Sequence, residues 1–225
     1  MTDMVLQKER INVDEIKRII MPLFIIALLC ILSGCGTITG DTSRKAVFGI
    51  PEPLQEEATG GTSFELDGYT VKLDYKYSYD ISALVVGTRE YSESDIGGKL
   101  APKDLALAWG RVAEYNDRID FHWSQSNRWY YWRVDSYDEI DVIGGTDGII
   151  SQSANNHLIP ADDNIKDNIK KINAGDHIRV TGYLVNVNAS KPDGTNFWWN
   201  SSTDRADTGD GSCEVIYVTG LEWLD

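Results

Sequence analysis

The sequence predicts a mainly β domain: a partly open, OB-like small barrel with two short helices packed on it, an α+β chain in which strands dominate. Three observations lead there. From Tyr69 the chain alternates Tyr69, Val71, Leu73, Tyr75, Tyr77 and Tyr79 with polar residues, the period of two that a half-buried strand imposes. Residues 175–187 open with Gly-Asp, run as a long strand and carry Gly182 in their middle, where a barrel strand needs room to bend. Helical periodicity, by contrast, surfaces in two short stretches only.

Taken in order, residues 69–79 form the first strand, and Ile81–Val86 extends it to Gly87. Residues 100–109 predict a short helix with Pro102 in its first turn and a stop at Gly110, placing Leu105, Trp109 and Val112 on one face. Ile119, Phe121 and Trp123 alternate again, Arg128–Val134 reads as an aromatic strand, and Gly144-Gly145 with Asp147-Gly148 marks a turn. The second helix is better signed. Asp162 or Asp163 caps it, Ile165, Ile169 and Ile172 give an apolar stripe, lysines gather at its end and Gly175 stops it. A turn at Asp193-Gly194, a strand at Phe197-Trp198-Trp199 and a last strand over Cys213–Val218 complete the pattern.

The chain has 225 residues and 21 Lys+Arg against 35 Asp+Glu, a formal charge of −14. That balance repels phosphate backbones and argues against nucleic acid as a partner. A 42% hydrophobic fraction with 10% aromatics is too rich for a disordered chain. The acidity is unevenly spread. Residues 1–34 balance four basic residues against four acidic ones, so the whole excess lies from Cys35 onward.

Lys17-Arg18 precedes an uncharged apolar run over residues 19–32, short for a membrane span and suited to a signal-peptide core. The run ends in Leu32-Ser33-Gly34-Cys35, which resembles the lipobox of bacterial lipoproteins. The resemblance implies cleavage before Cys35, acylation of its thiol and an exported domain held to the lipid membrane by acyl chains such as palmitate. Gly36 after the cysteine implies outer-membrane sorting where there are two membranes. The alternative is an uncleaved anchor, since residues 19–40 carry no charge at all. Either way the folded part lies outside the cytoplasm, in the cell envelope or periplasm. The expected organisation is a signal peptide over 1–34, a glycine- and proline-rich tether over 35–62 and the β-rich domain over 63–225. Cys213 is left unpaired in the mature chain, so no internal disulfide is expected.

Segments at 100–110, 124–132, 153–161, 182–185 and 201–214 are similar to a group of uncharacterised bacterial membrane-proximal proteins. That resemblance implies one shared fold and carries no catalytic assignment. The group tends to have histidine where this chain has Gln152, so paired-histidine chemistry with His157 is not implied here.

Three constellations are candidates for function. His157, in the polar stretch Ser151–His157, could serve as a base with Ser153 or Cys213 as nucleophile and Arg205 and Asp207 nearby in role; this is the envelope-hydrolase alternative. The plainer alternative is a tight loop hydrogen-bonded by Asn155, Asn156 and His157. The segment 201–214 gathers Ser202, Asp204, Arg205, Asp207 and Asp210 among glycines, a candidate functional loop whose acids lack EF-hand spacing. Arg128, Trp129, Trp132, Trp198 and Trp199 are ligand-binding candidates: rings on both faces of a strand leave one face for stacking on sugar or peptide unless helices cover it. No cofactor motif, P-loop or paired-cysteine zinc site occurs, and no metal is called. The leading expectation is a non-enzymatic, membrane-anchored binding module that contacts envelope proteins or cell-wall glycan.

Overall fold

The computed structural model describes residues 44–209 and 212–224. The signal segment, the lipobox with Cys35, and Asp210 lie outside the described residues. Within them the chain is mainly β, as its periodicity predicts. The strands are β1 (Leu54–Glu57), β2 (Gly61–Leu66), β3 (Tyr69–Glu90), β4 (Lys103–Ala108), β5 (Ser124–Ser126), β6 (Trp129–Tyr131), β7 (Ser153–Pro160), β8 (His177–Ser190), β9 (Asn196–Asn200) and β10 (Glu214–Trp223). The helices are α1 (Ile96–Leu100), α2 (Gly110–Tyr115), α3 (Gly145–Ser151) and α4 (Asp163–Lys171), with a 3₁₀ stretch over Tyr137–Ile143.

Strand pairings run round a ring, β3-β4-β7-β10-β8 and back to β3. All are antiparallel except β7 with β10. This is the five-stranded, partly open barrel of the OB type. The strand that serves two sides is β3. Its residues 70–84 pair with β8, its residues 84–90 pair with β4, and a bulge at Val85/Gly87 lets it change partners. Gly182 in β8 does the smaller job of close approach: a Cβ there would collide with the Tyr217 carbonyl. Ile81, Leu105, Leu158, Val180 and Ile216 bring one buried side chain from each ring strand into the main core.

The second predicted helix is α4 as read. Asp162 caps it by accepting from Ile165 N at 2.8 Å, and Ile165, Ile169 and Ile172 are buried in the main core. Its C-terminal end is met by Lys103, 3% exposed, whose Nζ donates to the carbonyls of Lys170 at 3.0 Å and Ile172 at 2.7 Å. A cation there satisfies orphan carbonyls and the negative end of the helix dipole.

Five expectations are corrected. Residues 103–108 form strand β4, not a helix, and every residue of it is buried. A strand covered on both faces has no polar face to alternate with, so Leu105, Trp109 and Val112, four and three apart, mimic helical spacing. The stretch holding His157 is strand β7, buried from Ser153 to Ile159, rather than a loop. Residues 119–123 are irregular, and Asp147-Gly148 lies in α3, with Gly144 at φ +98° as the joint before it. Part of the stretch expected as tether, 35–62, is folded: β1 pairs with β3, and Ile50 is buried in the main core.

Candidate functional site

The outer face of β4 and β7 is the starting point, because OB-type barrels place ligands on their second and third strands. Register puts Asp104 opposite His157, Ala106 opposite Asn155 and Ala108 opposite Ser153. Small residues on β4 face polar ones on β7, and the hairpin of β5 and β6 lies across them. Its turn is two residues, Asn127 at φ +52° and Arg128 at φ +70°, the left-handed pair a tight hairpin needs.

Ser153 and Asn155 of β7 each hold part of that hairpin. Ser153 Oγ lies 3.2 Å from Tyr130 Oη. Gln125 Nε2 donates to Asn155 Oδ1 at 2.8 Å, and Asn155 Nδ2 donates to Arg128 O at 2.9 Å. Arg128 Nη1 donates to Asp104 Oδ1 at 2.7 Å, and its guanidinium lies 3.6 Å from the Tyr91 ring centroid. Asp104 is fully buried, so the arginine compensates a carboxylate that water cannot reach. His157 Nδ1 lies 3.0 Å from the same Asp104 oxygen, but off the line a hydrogen bond requires; it is a close approach, not a bond. The imidazole packs on Trp199 with centroids 4.2 Å apart.

Two hollows flank this plug, with Trp129 lining both. One, of about 360 Å³, is lined by Arg128, His157, Trp198, Trp199 and Cys213 among others. The other, of about 340 Å³, is lined by Trp109, Trp132, Ser153, Arg205, Asp207 and Glu214 among others. The predicted residues are therefore divided. His157 and Cys213 share one hollow, whereas Ser153, Arg205 and Asp207 share the second. Ser153 Oγ donates to Ile149 O at 2.7 Å, and no hydrogen bond joins it to His157 among the described residues. Burial pushes the Cys213 thiol up to about 12, which keeps it protonated and a poor nucleophile.

The loop 201–209 is braced from within and from outside. Ser202 Oγ donates to Asp207 Oδ2 at 2.7 Å, and Ser202 N donates to Cys213 O at 2.9 Å. Arg205 Nη2 donates to Pro53 O at 2.8 Å, and Gln55 Nε2 donates to Thr203 O at 3.0 Å. Among the described residues no group of three or more His, Cys, Asp or Glu is placed to hold a metal ion.

Sequence reasoning missed the group that distinguishes the second hollow. Glu214 opens β10, is 6% exposed, and its Oε2 has no hydrogen-bond partner among the described residues. Burial is the main cause that pushes its carboxyl up to about 8; the neighbouring Asp207 adds to the rise, and Arg205 opposes it. Trp109 Nε1 and Arg205 Nη1 are likewise buried without a partner among the described residues. A buried polar group left unpaired costs about 1–3 kcal/mol. The signal that could have exposed Glu214 is an acid directly before Val215-Ile216-Tyr217-Val218, at a strand position whose successors Ile216 and Val218 are core.

No protein-family model, curated protein or solved structure matches the chain, so the reading of this site stands on its geometry.

Proposed function

We propose that the protein is a membrane-anchored envelope lipoprotein whose acidic OB-type domain is a binding module. The lipobox at Leu32–Cys35 supports the anchor, and the site supports the module. The observation that carries the module reading is the joining of tryptophan-flanked hollows to buried polar groups that lack partners among the described residues. None of Trp129, Trp132, Trp198 and Trp199 is fully buried, and Trp198 is 71% exposed. Such rings present flat apolar area at little entropic cost. The hydrolase alternative draws less support, because its base and its arginine line different hollows.

The acidity of the exported part repels anionic headgroups, so acyl chains must hold the protein down. Metabolic labelling with a fatty-acid probe should mark the wild type and not Cys35→Ala, and a high-salt wash should leave the wild type on the membrane. Equal labelling of both chains would refute the anchor. For the module, Trp198→Ala should reduce retention on isolated cell-wall material without lowering the melting temperature; unchanged retention would count against it.

A further inference from the structure

We infer that the hollow lined by Trp109, Arg205 and Glu214 is a site for one neutral sugar ring, the end residue of a glycan. The inference rests on the binding-module reading and adds to it a position and a ligand class.

Three polar atoms set the chemistry: Trp109 Nε1, Arg205 Nη1 and Glu214 Oε2, none with a hydrogen-bond partner among the described residues. Trp109 is 1% exposed and Glu214 6%, and both line the hollow. Two of the three are donors only, and they call for acceptor oxygens. The third is a carboxyl that burial keeps protonated at neutral pH, able to donate one hydrogen bond and accept others.

An amine is the wrong complement, because it offers donors alone and meets the charge of Arg205. An anion answers the donors but meets Asp204 and Asp207, which line the same hollow. A hydroxylated ring offers donors and acceptors along its edge and C–H groups on its faces. Trp129 and Trp132 supply the aromatic walls for those faces. The volume, about 340 Å³, is at the low end of the range for small-molecule sites, which suits one ring and not a polymer.

The site is also set apart from the usual ligand face of such barrels. The hairpin of β5 and β6 already occupies the outer face of β4 and β7, so a ligand finds room beside it.

The test is calorimetric titration of the full chain, held in a detergent without a sugar headgroup, with N-acetylglucosamine and with glucose. Choline and inorganic phosphate are the cationic and anionic controls. The wild type should bind at least one sugar saturably and neither control. Glu214→Leu should weaken that binding about tenfold or more, the effect of removing one buried hydrogen-bonding group, without lowering the melting temperature at pH 7. Arg205→Gln should weaken it too, and Tyr137→Ala, at an exposed ring that lines neither hollow, should leave it unchanged. No saturable response to either sugar up to its solubility limit would overturn the inference, as would tighter binding of choline or phosphate. Sugar binding that survives Glu214→Leu but is lost in Trp198→Ala would overturn the site while leaving the binding module standing.

Discussion

Glu214 is the residue at which the conflict between core and site is sharpest. Strand alternation directs it to the side of Ile216 and Val218, where a carboxylate has no water to charge it. Its folded value of about 8 stands above the ordinary glutamate value of 4.5, so the folded state keeps a proton the unfolded state has lost. Between those two values the native state binds more protons, and stability falls as pH rises. The loss is small below pH 4.5 and complete above about pH 8, amounting to a few kcal/mol in order of magnitude. Glu214→Gln should flatten that slope. Urea denaturation at a series of pH values between 5 and 9 checks it, and parallel wild-type and variant curves would show that another group is responsible.

At the scale of the element, the hairpin of β5 and β6 is a plug fixed at its turn. Arg128 is held there in a left-handed backbone conformation that a non-glycine residue adopts at a cost. Its backbone N donates to Tyr91 Oη at 2.8 Å, and its side chain meets Asp104. Arg128→Ala leaves a fully buried carboxylate without its partner. The expected loss is about 3 kcal/mol, at the low end for a buried pair because the arginine side chain is 21% exposed. Denaturant titration of Arg128→Ala beside Arg128→Ala/Asp104→Asn measures it. The double variant should recover part of the loss, since the uncompensated charge is gone.

The same element explains which parts of the site were legible. Arg128, Trp129 and Trp132 stood out in the sequence as an aromatic cluster with a cation, and they do line the hollows. Asp104 did not stand out, because the run around it read as a helix. Its pairing with Arg128 depends on β4, β7 and the hairpin meeting across the sheet, at a separation of 24 residues. His157 was visible as a histidine among polar residues, but its neighbours alternate between the core and the hairpin. Asn156 Nδ2 bonds to backbone on one face, while Asn155 holds the hairpin on the other. A loop reading misses that Asn155 and Asn156 hold separate partners on opposite faces of one strand.

For the whole molecule, the fold begins earlier than composition suggests. Glycines and prolines over residues 36–62 read as linker, yet Ile50 is buried, β1 pairs with β3, and Pro53 and Gln55 hold the loop 201–209. A chain starting at residue 63 should therefore melt at a lower temperature than one starting at residue 44. The loss is a few kcal/mol, since burying an isoleucine side chain alone is worth about 1.5–3 kcal/mol. Differential scanning calorimetry of the two chains checks it, and equal melting temperatures would put the fold's boundary at 63.

By itself the sequence determined what depends on near neighbours and on water. The period of two in β3, the cap and apolar stripe of α4 and the net negative charge are all readable from near neighbours or from composition. Only the tertiary structure decided what depends on closure. Ring pairing buried both faces of β4 and β7, which erased the alternation that would have announced them. It also brought Trp109, from a distant part of the chain, to the same hollow as Arg205 and Glu214. Their burial raises the Glu214 carboxyl and leaves three polar atoms without hydrogen-bond partners among the described residues, and no local pattern encodes a desolvation that distant strands create.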